Sequence, residues 1–447
     1  MPVNFAKTSE LFRSLGYSTT LVDKAASLLR NDQLGDPDSV RSTPDIPPSF
    51  LEPTDHDPDR EAAIVRDNLF PYQRQIVDTV LSVSGDRNHR QLVVMPTGAG
   101  KTRTAISVIF SRYFQAHLTL RSVLWLSPSI ELVQQSYDEI IQLYKELGLS
   151  FGLKLTSIVA KRSTSFDGLH IECGTLQLAY SRLRGKGQQY DLIVFDEAHL
   201  YTGLMGQKLL DIASKIKADI LGLTATPGKT SDSNSWDFAS TFDNRLIIPE
   251  DMKSDPIKYL EQVGVRSRAS WQSLPLPVYA NHIRMKSLSG PVFKQNVLSF
   301  DPERFRTVNE SLTSLRADRK AIVFCASVEH AYALLSILKT NRVDASAITS
   351  ETDPTKRNKI ISNFRTSSGG ILLNINILAA GLDIPSITDA YFTVPIRSSV
   401  KWEQMIGRVT RGPIVGGTET AQIWEFDDHQ LMHQGVLSFN RFTANYT

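Results

Sequence analysis

The sequence predicts an α/β protein with two tandem lobes, each built on a parallel sheet. Apolar strand patterns alternate with helical stretches from residue 68 to about residue 227, and a second series of this kind runs over residues 320–426. Alternating strands and helices favour a parallel sheet whose working loops gather at one edge. The length of 447 residues and the hydrophobic content of 41% suit two or three domains with sizeable cores.

Four segments follow from this pattern. Residues 1–66 are expected to form a helical N-terminal segment with a Pro-rich linker, 67–228 the first lobe, 229–310 a connector and 311–447 the second lobe. The apolar spacing near the N-terminus predicts a small helical bundle that packs on the two-lobed body of the protein. Docking of a partner protein is the alternative for that segment, and the connector is a second candidate for it.

Composition limits the compartment and the type of partner. The net charge of +2 gives little overall attraction to nucleic acid, so any basic footprint must be a local groove. Cys173 and Cys325 lie in separate predicted lobes and in apolar contexts, which predicts buried free thiols. No apolar run approaches the ~18 residues of a membrane span. The sequence therefore predicts a soluble, cytoplasmic protein that does not enter a membrane.

Residues 95–102 follow an apolar strand and open a helix, which is the context of a phosphate-binding P-loop. Gly98 and Gly100 would let backbone N–H groups close on phosphate oxygens at the positive end of a helix dipole. Lys101 can reach the β- and γ-phosphates, and Thr102 can ligate Mg²⁺. The pattern departs from the usual one at Met95, where glycine is expected. The candidate nucleotide contacts are Thr97, Gly98, Ala99, Gly100, Lys101 and Thr102.

Residues 190–195 form a second apolar strand pattern, and an acidic pair follows it directly. Ligands bind at the carboxyl ends of the strands in open parallel sheets. Asp196 is therefore expected to hold Mg²⁺, and Glu197 to orient and deprotonate the attacking water. Two solvated carboxylates at the start of a loop are the alternative, which the P-loop upstream makes the weaker one.

With these motifs in this order, the chain resembles the superfamily 2 helicases and translocases of the DEAD/DEAH type over roughly residues 68–430. Residues 70–75 are similar to the adenine-reading Q motif of that family, with Phe70 and Gln73 as contacts. Further matching runs lie at residues 126–129, 174–177, 223–227, 322–327, 381–385 and 404–411, which resemble motifs Ia, Ib, III, IV, V and VI. Residues 411–419 further resemble bacterial helicases allied to restriction enzymes.

The resemblance implies two RecA-like lobes that bind ATP and Mg²⁺ between them. It assigns nucleotide contacts to Gly381 and Asp383. It assigns contacts with the nucleic-acid strand to Ser127, Ser129, Thr175 and Ser327. It assigns coupling between nucleotide and strand to His199, Thr224, Thr226 and Gln404. His199 could instead be an ordinary satisfied polar group. Residues 374–376 depart from the family pattern. A contact with nucleic acid and a purely structural turn are therefore equally open there.

Motif VI carries two arginines, Arg408 and Arg411, which lie three residues apart. That spacing predicts one face of a helix. An arginine inserted at a hydrolysing γ-phosphate can supply roughly 10³–10⁵ in rate. The alternative is a solvated basic face. Since both arginines belong to the second lobe, hydrolysis is expected to need closure of the two lobes.

The function expected from these motifs is an ATP-dependent motor that moves along or unwinds nucleic acid. DNA is favoured over RNA, in a bacterial defence or repair setting, because of the restriction-type run after motif VI. The alternative is an ATP-gated clamp or scaffold subunit without unwinding activity, because no additional unwinding element is recognised after the last predicted strand.

Overall fold

The structure is a computed structural model. It describes residues 49–53, 56–83, 89–115, 120–158, 167–183, 189–201, 204–225, 241–243, 245–275, 301–349, 351–375, 384, 386–393, 396 and 399–426. The predicted N-terminal helices lie outside these ranges. The described residues fall into two compact units, one before and one after the bond between Leu260 and Glu261.

The first unit is built on an eight-stranded sheet. Its strands are β1 (Ser49–Leu51), β2 (Arg90–Val94), β3 (Ser122–Ser127), β4 (Leu153–Ser157), β5 (Leu169–Thr175), β6 (Leu192–Phe195), β7 (Asp219–Thr224) and β8 (Leu246–Ile247). Their order is β1-β4-β5-β3-β6-β7-β2-β8, and every neighbouring pair is parallel except β1 with β4. The carboxyl ends of β2, β6 and β7 therefore lie side by side.

The helices of this unit begin at residues suited to helix starts. They are α1 (Pro58–Asp67), α2 (Pro71–Ser82), α3 (Lys101–Phe114), α4 (Ile130–Glu146), α5 (Leu176–Leu183), α6 (Leu204–Lys215) and α7 (Pro256–Gln262), whose last two residues belong to the second unit. Proline occupies the first turn of α1 and α2, where its missing N–H costs nothing. Strand residues pack against α5 and α6 in one continuous core that includes Leu126, Ile193 and Leu209.

The second unit is built on a six-stranded sheet in which every pair is parallel. Its strands are β9 (Arg268–Leu274), β10 (Lys320–Phe324), β11 (Ala345–Ile348), β12 (Gly370–Asn374), β13 (Asp389–Phe392) and β14 (Thr420–Phe426), in the order β11-β12-β10-β13-β14-β9. Its helices are α8 (Pro302–Thr313), α9 (Val328–Thr340), α10 (Pro354–Thr366) and α11 (Ser399–Val409).

Both faces of this sheet are covered, as a parallel sheet requires. Ala321 and Val323 of β10 face one core, which includes residues of α8 and α9. Ile322 and Phe324 face the other, which includes residues of α10 and α11. Alternate residues of one strand thus enter two separate cores, and the predicted α/β class with two parallel-sheet lobes is confirmed.

Strands also come from the segments expected to be linker and connector. β1 is an edge strand that pairs with β4, β8 pairs with β2, and β9 pairs with β14 along its whole length. The predicted boundaries at residues 66, 228 and 310 stay predictions. Cys173 and Cys325 are buried free thiols, as expected, and burial raises the pKa of both.

Candidate nucleotide site

The P-loop connects β2 to α3, and two glycines give the loop its path. Gly98 and Gly100 have φ angles of 93° and 81°, in the left-handed region that residues with a Cβ rarely adopt. Met95 has no positive φ; it is buried and continues the strand, because its N–H donates to the carbonyl oxygen of Thr224 at 3.1 Å. The departure from glycine at this position therefore leaves the loop geometry intact.

Gln73 of the predicted Q motif lies against the P-loop. Its side chain is 1% exposed, and a Cβ added at Gly100 would lie 2.6 Å from Gln73 Nε2. Gln73 Nε2 donates to the carbonyl oxygen of Ala99 at 3.2 Å, and Gln73 Oε1 accepts from the N–H of Phe70 at 3.1 Å. The hydroxyl of Tyr72 donates to the same Ala99 oxygen at 3.0 Å. The amide of Gln73 thus links the P-loop to the start of α2. Adenine recognition by Phe70 and Gln73 stays a prediction.

Lys101 and Thr102 form the first turn of α3. Lys101 Nζ lies 3.5 Å from the carbonyl oxygen of Met95, so the ammonium group folds back over the loop. Thr97, within the loop, has a buried hydroxyl with no hydrogen-bond partner among the described residues. The loop therefore holds a cation and an unsatisfied hydroxyl at the start of a helix, where an anion is favoured.

The acidic pair follows β6, and the sheet fixes its first member. Asp196 is 7% exposed, and its N–H donates to the carbonyl oxygen of Leu126 at 2.9 Å. Glu197 has a φ of 50°, which is uncommon for a residue other than glycine. Its N–H donates to Asp196 Oδ1 at 3.0 Å. A non-glycine residue in this conformation at the end of a parallel strand indicates a functional position.

His199 links the acidic pair to the end of β7. Its Nδ1 lies 3.0 Å from the hydroxyl of Thr224 and 3.5 Å from Glu197 Oε2. The ring is buried, so these two groups are its polar surroundings on that side. The pair predicted to couple, His199 and Thr224, is therefore in direct contact, whereas Thr226 lies outside the described residues.

Sequence reasoning did not single out Tyr201, which belongs to this edge. Its ring packs edge-on against Phe195, with 5.2 Å between ring centroids. Its hydroxyl is buried and has no hydrogen-bond partner among the described residues. Burial, followed by the negative charges of Asp196 and Glu197, raises the pKa of Tyr201 well above 10.0. The only signal in the sequence is its position two residues after His199.

Three buried polar atoms without hydrogen-bond partners therefore belong to one edge of the sheet, among the residues that the structure describes. They are Thr97 Oγ1, Glu197 Oε2 and the Tyr201 hydroxyl. Each such atom costs about 1–3 kcal/mol if it stays unsatisfied. The two hydroxyls can donate to phosphate oxygens, so an ATP phosphate chain fits them, whereas the Glu197 carboxylate can only accept and would take its hydrogen bond from a water molecule.

A divalent cation fits as well, but only together with a nucleotide. Within the described residues, no group of three or more His, Cys, Asp or Glu side chains could hold a metal ion. Mg²⁺ usually takes one or two protein oxygens and completes its shell with phosphate and water. Thr102 and Asp196 are the residues that would supply those oxygens here.

Helix α11 of the second unit carries the start of motif VI. Gln404 and Arg408 lie four residues apart on it and hence on one face. Arg408 is partly buried, and its Nε has no hydrogen-bond partner among the described residues, although the side chain has other interactions. These two predicted site residues therefore lie on the same face of α11.

The prediction that Arg408 and Arg411 share a helix face is wrong. The helix ends at Val409, and its last backbone bond runs from the N–H of Thr410 to the carbonyl oxygen of Ile406 at 2.9 Å. Arg411 is extended and forms an antiparallel bridge with Arg266. The physical reason is this pairing with a distant segment, which takes over the backbone groups that a longer helix would use.

Ser129 and Ser327, two of the predicted strand contacts, cap helices. Ser129 Oγ accepts from the N–H of Leu132 at 3.4 Å at the start of α4, and Ser327 Oγ accepts from the N–H of His330 at 3.1 Å at the start of α9. Both helices follow the central strands of their sheets. Both serines thus fix a helix N-terminus at the carboxyl edge, where phosphates are favoured.

The other two predicted strand contacts are buried. Ser127 is 0% exposed, and its hydroxyl lies 3.2 Å from that of Ser136, so this side chain has no access to a strand here. Thr175, at the end of β5, is 8% exposed. A contact with nucleic acid at these positions would have to come chiefly from the backbone.

The departure at residues 374–376 is partly explained. Asn374 ends β12, is fully buried, and its Nδ2 donates to the carbonyl oxygen of Val323 at 3.0 Å. The asparagine therefore joins two neighbouring strands. Residue 376 lies outside the described residues, as do the predicted nucleotide contacts Gly381 and Asp383.

A P-loop on β2, an acidic pair on β6 and a second parallel-sheet unit with motif VI are the features of a RecA-like P-loop protein with two lobes. Two family models match the chain. One, described as the type III restriction enzyme res subunit, matches residues 66–229, and the other, the helicase conserved C-terminal domain, matches residues 303–412. Together they take in more than half of the chain.

Individual proteins show the same likeness. The putative mitochondrial ATP-dependent helicase irc3 of Schizosaccharomyces pombe is 24% identical over 77% of this chain and 55% of its own length. The type I restriction enzyme EcoAI endonuclease subunit of Escherichia coli is 23% identical over 76% of this chain and 44% of its own length. A fragment of an HsdR subunit from Vibrio vulnificus YJ016 shares the fold with a TM-score of 0.58 and 17% identity, over 85% of this chain and 69% of that fragment.

The chain belongs to the superfamily 2 helicases, with a first lobe of the restriction-enzyme type. It spans about half the length of the two curated relatives described above. Within the described residues, no helix is long and apolar enough to cross a membrane.

Proposed function

We propose that this chain is a nucleic-acid-stimulated ATPase that moves along or unwinds DNA. One observation carries the proposal: among the described residues, the buried hydroxyls of Thr97 and Tyr201 and the Oε2 of Glu197 have no hydrogen-bond partner. Phosphate oxygens would accept from the two hydroxyls, and the attacking water would donate to the carboxylate. Family membership supports the motor activity, because the matching C-terminal model is that of helicases.

The residues of the first lobe would bind and orient the nucleotide. ATP with Mg²⁺, when bound, supplies the phosphoryl group whose transfer to water releases free energy. Lys101 would exchange the weak contact with the Met95 carbonyl for phosphate charge, a stronger charge-assisted bond. Thr97 would donate its free hydroxyl, and Thr102 and Asp196 would hold the cation.

Glu197 would act as the base. Its Oε2 has no hydrogen-bond donor among the described residues, so it can accept a proton from water, and the left-handed backbone fixes its direction. His199 Nδ1 lies 3.5 Å away and also contacts Thr224. A change at the carboxylate would thereby reach the end of β7, which supports the proposed coupling role of His199 and Thr224.

The arginines of the second lobe would complete the site when the lobes close. Arg408 projects from the last turn of α11 with Gln404 on the same face, whereas Arg411 is held in an extended bridge. Their different backbone settings suggest different roles. We assign transition-state stabilisation to Arg411 because its main chain is fixed on both sides, which reduces reorganisation during the reaction.

DNA is proposed as the substrate, in a bacterial defence or repair setting. The first-lobe family is named for a restriction enzyme subunit, and the Escherichia coli relative is named as a restriction endonuclease subunit. Restriction enzymes act on DNA, and these relatives are subunits of assemblies. We therefore propose that the chain works with other proteins, with the N-terminal segment and the connector as docking elements.

The second candidate is an ATP-gated clamp that holds nucleic acid without unwinding it. The described residues form two parallel-sheet lobes. Within these residues, no further unit that could serve as an unwinding element is present. Such a protein would hydrolyse ATP on nucleic acid and would not displace a strand.

The test is ATP turnover by the full chain with matched single-stranded DNA, double-stranded DNA and RNA, together with displacement of a labelled strand. Stimulation by DNA above that by RNA, with displacement, supports the proposal; stimulation without displacement or movement past a bound roadblock favours the clamp. Arg411→Ala should reduce stimulated turnover by at least ~10²-fold with ATP affinity retained. Turnover that does not respond to any nucleic acid would contradict both candidates.

A further inference from the structure

A short segment outside every recognised motif holds the loop that carries Arg411. Residues 264–267 run antiparallel to it, and we call them the strap. Three backbone bonds join the two: the N–H of Gly412 to the Val265 oxygen at 2.9 Å, of Ile414 to the Gly264 oxygen at 3.2 Å, and of Ser267 to the Thr410 oxygen at 3.2 Å. The strap lies at the start of the second unit, just after Glu261.

The side chain of Ser267 closes this arrangement. Ser267 is fully buried, and its hydroxyl lies within hydrogen-bond distance of the carbonyl oxygens of Arg411 and Thr418. The N–H of Thr418 donates to the same Arg411 oxygen at 2.9 Å. One hydroxyl proton is therefore shared between the two ends of the loop that follows Arg411.

The backbones approach so closely that the loop has little freedom to shift. A Cβ added at Gly412 would lie 2.2 Å from the carbonyl oxygen of Gly264, and one added at Gly417 would lie 1.8 Å from that of Arg411. Real Cβ atoms do not reach these distances. Glycine at position 412 allows the strap and the loop to be in direct contact, and glycine at position 417 allows the loop to close back on Arg411.

The charges around the strap concern Arg411 as well. Burial, with a smaller contribution from the positive charge of Arg411, lowers the pKa of Arg266 to about 10, while Glu261 and Glu403 oppose this shift. Arg266 therefore remains protonated at neutral pH. Its positive charge next to Arg411 is balanced by the two carboxylates, one from the chain just before the strap and one from α11.

We propose that Ser267 is a positioning residue for Arg411: its hydroxyl fixes the main chain of the arginine so that the guanidinium reaches the nucleotide in the required direction. This inference rests on the proposed function. It adds a residue from the predicted connector to a proposed site whose predicted residues all lie in motifs. A shift of ~1 Å in a catalytic group can cost about 10²-fold in rate, so a partial release of the loop has a measurable effect.

The test is Ser267→Ala in the full chain, with ATP turnover measured at saturating DNA. We expect kcat to fall about tenfold, which is the loss of one hydrogen bond of ~1.4 kcal/mol, while KM for ATP changes less than twofold. Ser267→Cys keeps the volume with a weak donor and should behave like Ser267→Ala. It also serves if the alanine variant does not fold.

Ser336→Ala is the matched control. Ser336 is equally buried in the same unit, and its hydroxyl donates to the Tyr332 carbonyl within α9, away from Arg411. It removes a buried hydroxyl without touching the loop that carries Arg411, so it should leave kcat unchanged. An equal loss of kcat in both variants would overturn the positioning role.

The Arg411→Ala background gives the decisive comparison. If Ser267 acts through Arg411, Ser267→Ala should cost less than twofold in that background, whereas a repeated tenfold loss would overturn the inference. Arg411→Ala with reduced turnover and Ser267→Ala with normal turnover would overturn the inference alone. Normal turnover in Arg411→Ala would count against the proposed interlobe site itself, and the positioning role would fail with it.

Discussion

Substitution of Gly100 by alanine tests the P-loop geometry without any assumption about function. The new Cβ would lie 2.6 Å from Gln73 Nε2, at a backbone φ of 81°. The left-handed conformation costs a non-glycine residue about 1–2 kcal/mol. Because Gln73 is 1% exposed, its amide cannot move aside and keep its bonds to Ala99 and Phe70, which are worth about 1 kcal/mol each. We expect Gly100→Ala to reduce the free energy of unfolding of the first unit by about 3–4 kcal/mol.

Two comparisons separate the strain from the collision. Gly148 has a φ of 61° with no heavy atom within 4 Å of an added Cβ, so Gly148→Ala should show only the strain, about 1–2 kcal/mol. In a Gln73→Ala background, Gly100→Ala should also cost about 1–2 kcal/mol, which gives a coupling energy of about 2 kcal/mol between the two positions.

The measurement is urea unfolding of the full chain, followed by hydrogen exchange in peptides from β2 and α3. These peptides report the first unit alone, which matters because a protein with two units need not unfold in one step. Equal costs for Gly100→Ala and Gly148→Ala, or no coupling to Gln73, would refute the placement of Gln73 under the loop.

Three further predictions concern single side chains. Lys101→Ala should weaken ATP binding by about 10–100-fold and abolish stimulated hydrolysis, since a charge-assisted bond is worth about 1.5–3 kcal/mol; fluorescent-nucleotide titration checks this, and retained turnover would contradict it. Glu197→Gln should bind ATP normally but hydrolyse it about 10²–10⁴-fold more slowly, and loss of binding in the same titration would make Glu197 structural. Burial raises the pKa of Glu425 above 4.5, so stability is lost as the pH rises past the folded-state pKa. Glu425→Gln can still accept from Trp402 Nε1 and should melt higher than the wild type at pH 8 but not at pH 4, whereas a lower melting temperature at pH 8 would contradict the reasoning.

The parts of the site that could be predicted from the sequence are those in which local order fixes the geometry. Gly98 to Gly100 must lie between a strand and a helix that begins at Lys101, and Asp196 must follow a strand, because neighbouring residues in the chain determine these placements. The parallel sheets also follow, since helices between strands leave few other connections. Even Met95, which breaks the usual pattern, keeps the loop intact because its N–H bonds to the carbonyl oxygen of Thr224 directly after the end of β2.

The parts that could not be predicted depend on pairing between distant segments. Spacing alone assigns Arg411 to a helix, but the bridge to Arg266 overrides it, and no local signal marks that partner. Strand β9 is a partly exposed edge strand with five of its seven residues polar or small, so its pairing with β14 is a consequence of the assembled sheet. Tyr201 was missed for another reason: its role depends on the lack of a partner for its hydroxyl, which only coordinates can show.

The order of the strands explains why β7 is the element through which the nucleotide site can act on the rest of the lobe. β7 lies between β6, which carries the acidic pair, and β2, which leads into the P-loop. Its last residue, Thr224, therefore contacts both: the carbonyl oxygen accepts from Met95 at 3.1 Å, and the hydroxyl lies 3.0 Å from His199 Nδ1. Thr224 is fully buried, so it cannot move to suit one neighbour without affecting the other. These contacts join Glu197, His199, Thr224 and Met95 within the first unit, and they support the proposed coupling role of His199 and Thr224.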